Sequence, residues 1–293
     1  NPRRMDGTKI LGKDGLIVTI EAANIIGKTA TKFLKQPQDW EYEKTFWPWI
    51  LLSKKRYVGM LYETNPDVCK RKSMGIVLKR RDNAPIVKDI YGGIIDILMN
   101  RGTGEEAFNY IKSKITDLCA GTIPVEKLVI SKSLRSGYKD PSRIAHCVLA
   151  NRIGERDPGN KPSVGDRIEY VFIKNKNRRA LQGDKIETPA YVAAAGLQID
   201  YEQYIRNQIS KPVIQVMAFV LEELKAFKKE YGSSLTLWHR KLRELRKNSV
   251  DDPEFEGKLV RLKAKETERL VFQEAINNVS KDECQTTLEA FFT

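Results

Sequence analysis

Apolar residues recur near helical spacing at Leu16, Ile20, Ala23, Ala30 and Leu34, which predicts a helix over residues 15–35. Gln36-Pro37-Gln38-Asp39 stops it. Two stretches rich in aromatic and β-branched residues follow, WEYEKTFWPWILLS and KRYVGMLYE, and both predict strands. Glu43 and Lys44 would start the first; Lys54, Lys55, Arg56 and Tyr57 would start the second. Alternation then puts Lys55 and Tyr57 on one face of the sheet, and Lys54 and Arg56 on the other. From Ala84 the helical period returns. Helices are expected over residues 86–100 and 105–119, joined at Gly102-x-Gly104. That glycine pair is a turn and not a nucleotide loop, because no strand precedes it and no third glycine follows. A helix over 143–153, a turn-rich RDPGNKPSVGDR, a short strand RIEYVFI and helical residues 200–230 come next, with a break expected at Lys211-Pro212. YGSS marks a boundary. Residues 234–247 and 254–278 read as polar helices, the second with an apolar stripe of Phe255, Leu259 and Leu262. The fold class is α+β, with strands and a helix first and a mostly helical remainder.

Composition adds a direction. At 293 residues there is room for two domains, and 41% hydrophobic and 9% aromatic residues are ordinary for a globular chain. No apolar run approaches the roughly 20 residues of a membrane span. The chain opens Asn1-Pro2-Arg3-Arg4, with no initiator Met and no apolar signal region, and reads as a piece of a longer, intracellular protein. Cys69, Cys119, Cys147 and Cys284 are far apart with no C-x-x-C pair, which argues for reduced thiols and against structural zinc. The net charge of +13 is unevenly placed. Residues 1–232 hold 40 Lys+Arg against 27 Asp+Glu, while residues 233–293 hold 11 against 11. A basic excess of that size suits nucleic acid; the alternative is that it only keeps the protein dissolved.

Three stretches could carry the chemistry. A Lys beside a Tyr on one sheet face, as at Lys55 and Tyr57, suits a nucleic-acid groove, since the ammonium meets phosphate and the phenol offers a flat surface. A solvated basic hairpin is the plainer alternative. In GIVLKRRDNAP, Lys79, Arg80 and Arg81 precede Asp82-Asn83, a cap for the next helix, and cations beside a helix N-terminus favour phosphate. A charged turn explains the same residues. In DPGNKPSVGDRIEYVFI, Gly165 lets the backbone approach something closely and Arg167 enters a strand; a buried Asp166–Arg167 turn is the alternative.

In order along the chain, Glu41-Tyr42-Glu43-Lys44, Lys54 to Gly59, Arg80 to Pro85, Arg156 to Val171 and Ile199 to Pro212 resemble family B DNA polymerases of the replicative, delta-like type, with large DNA viruses nearest in style. The resemblance covers roughly residues 15–232. It implies that residues 1–83 are the end of the palm and 84–232 the thumb, which grips primer–template DNA. It implies minor-groove contacts from Lys55 and Tyr57 within the Lys54–Tyr57 block, a place for Glu43 near the metals, and primer-backbone contacts from Arg80, Arg81 and the turn Gly165-Asp166-Arg167. Two family motifs are absent, the D-x-x-S-L-Y-P-S type strand and the Y-G-D-T-D-S hairpin. Phosphoryl transfer needs Mg²⁺ held by their carboxylates. This sequence alone is therefore expected to bind DNA and not to extend it. The cysteine-rich C-terminal module of cellular delta-type enzymes is absent as well.

Residues 233–282 would be a helical extension and 283–293 a tail. Gln285, Leu288, Phe291 and Phe292 are spaced Q-x-x-L-x-x-F-F, which resembles the box by which replication proteins bind a PCNA-type sliding clamp. One helical turn brings Leu288, Phe291 and Phe292 to one side as an anchor; a terminal helix tucked into the body is the alternative. The expected whole is the C-terminal part of a replicative DNA-directed DNA polymerase, a nucleotidyltransferase. It would use dNTP and Mg²⁺, with primer–template DNA and the clamp as partners, at a nuclear or viral replication site. A non-catalytic DNA-binding clamp partner derived from a polymerase is the other reading.

Overall fold

The computed structural model describes residues 2–79, 81–177, 179–247 and 254–289, with side chains of the last helix described through Val279. The chain forms two compact units, Asn1–Ile76 and Val77–Thr293. Lys79 and Arg81 thus belong with the second unit, although the sequence puts the domain boundary after residue 83.

In the first unit, helix α1 spans Gly12–Thr31 and turns Leu16 and Ile20 inward. Thr31 Oγ1 accepts the Trp40 N–H at 2.9 Å and fastens the returning segment to the helix end. Strands β1 (Thr45–Ser53), β2 (Arg56–Tyr62) and β3 (Cys69–Met74) form an antiparallel sheet in that order. Contrary to expectation, β1 starts at Thr45, and Glu43 and Lys44 precede it. The Tyr42 hydroxyl sits 3.0 Å from Thr45 Oγ1 and 3.1 Å from the Glu63 carbonyl, which holds the incoming chain across the strand end. Pro48 has no N–H to give a ladder. It lies on the edge strand, where the register slips between Phe46 and Trp49. The sequence did not announce β3, whose Lys70-Arg71-Lys72 run is exposed. Backbone pairing with β2 makes it a strand, and the cations guard an open edge.

In the second unit, α2 (Pro85–Met99) and α3 (Gly104–Cys119) pack through buried apolar faces that include Ile90, Ile94, Phe108 and Ile111. Strands β4 (Ile130–Ser133), β5 (Arg167–Phe172) and β6 (Ile186–Glu187) form a second antiparallel sheet, with α4 (Ala145–Arg156) between β4 and β5 in sequence. A short helix α5 (Pro189–Ala195) follows. The expected helix over 200–230 is divided into α6 (Tyr201–Gln203), a π-helical turn over Tyr204–Ile209, α7 (Ser210–Val220) and α8 (Lys225–Tyr231). Pro212 offers no N–H to the carbonyl four residues back, and the wider turn ahead of it takes up the mismatch. Tyr204, fully buried, donates to the Leu128 carbonyl at 2.7 Å and accepts the Phe172 N–H at 3.1 Å. Burial drives its phenol pKa up, and the neighbouring buried Tyr170 is pushed up to about 12.

Helix α9 spans Thr236–Lys247 and α10 spans Phe255–Glu289. α10 lies against α3, α6 and α7. It buries Glu266, Thr267, Val271, Phe272, Ile276 and Val279, whereas the predicted stripe of Phe255, Leu259 and Leu262 is less deeply covered. The extension is therefore part of the second unit's core. The helix runs unbroken through Gln285 and Leu288 to Glu289, with no separate tail starting at 283; Phe291 and Phe292 lie outside the described residues. Cys69, Cys119 and Cys147 are not joined in disulfides.

Candidate nucleic-acid interface

The first candidate surface is the β1–β2 hairpin. Ser53 pairs with Arg56, so Lys54 and Lys55 form a two-residue turn and not the start of a strand. Lys55 has φ +62°, which removes it from the alternation that was to place it beside Tyr57. Both lysines are exposed, with no ion pair among the described residues. The turn is held from the third strand's end. Gly75 has φ +64°, and a Cβ there would meet the Lys55 carbonyl oxygen at 2.3 Å, so only glycine permits this approach. The Arg56 Nε donates back to the Gly75 carbonyl at 3.3 Å. Tyr57 is half-buried, edge-on to Phe46 at 5.6 Å and to Trp49 at 6.4 Å. These rings fix the phenol, a pairing that the aromatic content of the strand signalled without giving partners.

Glu43 is exposed and forms an ion pair with Lys44, which raises the Lys44 pKa. A single exposed carboxylate already neutralised by a lysine does not fit Mg²⁺. Among the described residues no group of three His, Cys, Asp or Glu comes together as a metal site.

The second candidate surface lies in the second unit. An open groove of about 470 Å³ is lined by Arg81, Asn83, Lys88, Ser131 and Arg167, together with Glu126 and Glu169. Arg81 and Arg167 are 86 residues apart in sequence, and the groove joins them. Arg167 opens β5. Its Nε donates to Ser131 Oγ at 2.9 Å and its Nη2 to the Ser131 carbonyl at 2.7 Å, which fixes the guanidinium along β4 and leaves donors to spare. Arg81 is exposed with no partner among the described residues, and Lys88 likewise has none. Lys88 was not anticipated. Its signal was its place on the polar face of α2, between the buried pairs Ile86-Val87 and Ile90-Tyr91. Arg80 lies outside the described residues.

Two expectations change here. Asp82 and Asn83 do not cap α2; the N-cap is Ala84, with no side-chain acceptor. Asp166 is exposed, not buried, and its carboxylate accepts the Ser163 N–H at 2.7 Å, so it shapes the turn that presents Arg167. Gly165 has φ +102°, and nothing within the chain lies within 4 Å of where a Cβ would be. The turn's conformation, not crowding, accounts for it. Arg156 is likewise structural: it bonds Glu187 at 2.9 Å and stacks on Tyr191 at 3.5 Å.

These surfaces offer cations and hydrogen-bond donors that suit phosphate. Among the described residues no helix is long and apolar enough to cross a membrane. The family model for DNA polymerase family B matches residues 13–220. The chain is 46% identical over 276 residues to the DNA polymerase of Pyramimonas orientalis virus, an alignment covering 91% of this chain and 22% of that one. It is 43% identical over 250 residues to the DNA polymerase of Acanthamoeba polyphaga mimivirus, covering 80% of this chain and 14% of the relative. With the DNA polymerase delta catalytic subunit of Candida albicans it shares 36% over 206 residues, 70% of this chain and 19% of the other. Its fold is similar to that of the family B DNA polymerase from Pyrobaculum calidifontis, with a TM-score of 0.51 at 17% identity over 64% of this chain and 24% of that structure. The chain spans about a fifth of the length of these polymerases, and over that span it belongs to DNA polymerase family B.

Proposed function

We propose that this chain is the primer–template-gripping C-terminal part of a replicative DNA-directed DNA polymerase, and that its last residues dock on a sliding clamp. The observation that carries the reading is the groove in which Arg81, Lys88 and Arg167 converge, two of them without a partner among the described residues. Cations held this way meet phosphates irrespective of sequence, as an enzyme that accepts every base pair requires. The exposed Lys54-Lys55 turn and the ring-braced Tyr57 would add minor-groove contacts. In the whole enzyme the reaction is templated addition of a deoxynucleotide from dNTP, with release of pyrophosphate. The Mg²⁺ for that step falls to residues outside this sequence, since Glu43, paired with Lys44, does not fit it. The working site is intracellular, in a nucleus or a viral replication site.

The clamp contact rests on Gln285, Leu288, Phe291 and Phe292. Linking a DNA grip to a ring on the same DNA raises the effective concentration of each for the other. The test of the grip is the affinity of the chain for a primer–template duplex. Arg81→Gln and Arg167→Gln should each weaken it about tenfold, for one charged contact of about 1.4 kcal/mol, with the melting temperature unchanged. Wild-type affinity in both variants would remove the groove from the DNA path. Replacing Phe291 and Phe292 by Ala should abolish clamp binding and leave DNA affinity intact.

A further inference from the structure

Helix α9 lies beyond the residues matched by the polymerase family model, in a segment with no net charge. Its own charges are not balanced. It carries Arg240, Lys241, Arg243, Arg246 and Lys247 against Glu244 alone. The inward side is anchored. Trp238 is fully buried beside Phe227 at 5.0 Å and Tyr231 at 5.4 Å, and its Nε1 donates to Glu222 at 3.0 Å. Lys241 meets Glu266 on α10 at 2.9 Å.

The cations around it follow the same rule when they face the body. Lys263 pairs with Glu222 at 3.2 Å, and Arg269 pairs with Glu230 at 2.6 Å and with Glu266 at 3.0 Å. The outward cations do not. Arg240, Arg243, Arg246 and Lys247 are exposed, and none has an ion pair among the described residues. At 3.6 residues per turn these four fall within an arc of about 120°, and they extend about 10 Å along the axis. His239 and Thr236 share that arc, and Glu244 and Leu237 lie at its edge.

We propose that this outward face of α9 is a further docking surface for the sugar–phosphate backbone of duplex DNA, outside the part of the chain shared with the family model. This deepens the reading that the chain grips primer–template DNA, and rests on it. Duplex DNA is the occupant because the four exposed cations have no ion pair among the described residues, because the helix is fixed from behind, and because a row of cations about 10 Å long spans more than one phosphate of a strand. Backbone contacts of this kind position a duplex without reading its sequence.

The test uses the 293-residue chain and a blunt duplex, with affinity followed by fluorescence anisotropy across a salt series. The variant combines Arg240→Gln, Arg243→Gln, Arg246→Gln and Lys247→Gln; a companion combines Arg81→Gln with Arg167→Gln. For every phosphate no longer neutralised, the slope of log affinity against log salt should become less negative by about 0.9. The α9 variant should have a slope shallower by about 2 to 3, with thermal unfolding unchanged because all four side chains are exposed. An unchanged slope in the α9 variant, with a shallower one in the companion, overturns this proposal and spares the groove. The reverse pattern spares α9 and removes the groove. Weakened polyglutamate binding with no change toward DNA would give the face to an acidic polypeptide and would also overturn it.

Discussion

At Gly75 one hydrogen atom decides where the hairpin turn lies. Alanine there would place a methyl 2.3 Å from the Lys55 carbonyl at φ +64°. Gly75→Ala should cost about 1–3 kcal/mol in chemical denaturation and move Lys54 and Lys55 off their positions, weakening DNA binding as well. Stability equal to wild type would show that the turn does not depend on this approach. Glu187 gives a pH signature. Burial alone pushes its carboxyl up, but the bonds from Arg156, the Thr188 N–H and Arg152 outweigh that and leave it below the ordinary value. A lowered carboxyl stabilises the fold above its unfolded pKa and loses that contribution as pH falls through the folded one. The protein should therefore weaken as pH drops below about 4. Glu187→Gln should cost roughly 3 kcal/mol at neutral pH and flatten that acid decline; melting curves over a pH series check both. Arg81 and Arg167 were legible because a basic run before a helix and an Arg entering a strand are local patterns. Lys88 was not, since a single Lys on a polar helix face looks like any solvated residue until the fold sets it beside them.

At the scale of elements, the 3.6-residue period placed α1, α2, α3, α4 and α9 to within a few residues. The strands were legible where aromatic and β-branched residues are dense, as in β1, β2 and β5. β4 has four residues, β6 has two, and β3 is basic throughout its middle, so none has an alternating pattern to find. The π-helical turn depends on Pro212 and on the buried Tyr204, and the sequence supplied only the proline. The largest difference concerns α10, whose expected apolar stripe was Phe255, Leu259 and Leu262. In the fold the deeply buried positions lie further along the helix, from Glu266 to Val279, and Phe272 is fully buried. Phe272→Ala should cost about 3–5 kcal/mol. Unfolding that remains cooperative with a destabilisation under about 1 kcal/mol would show that α10 adds little to the core of the second unit.

At the scale of the whole molecule, charge carried more information than any single motif. The basic excess lies in residues 1–232, and Lys54, Lys55, Arg81 and Lys88, without a partner among the described residues, are where the fold displays part of it. The chain spans about a fifth of the polymerases it resembles, and the proposed DNA grip rests on the cations of this chain. The measurement that tests this most directly is the affinity of the chain for primer–template DNA as a function of salt. If at least three phosphates are neutralised, log affinity should fall against log salt with a slope of about −3 or steeper. A flat response, or no affinity at low salt, would contradict the account.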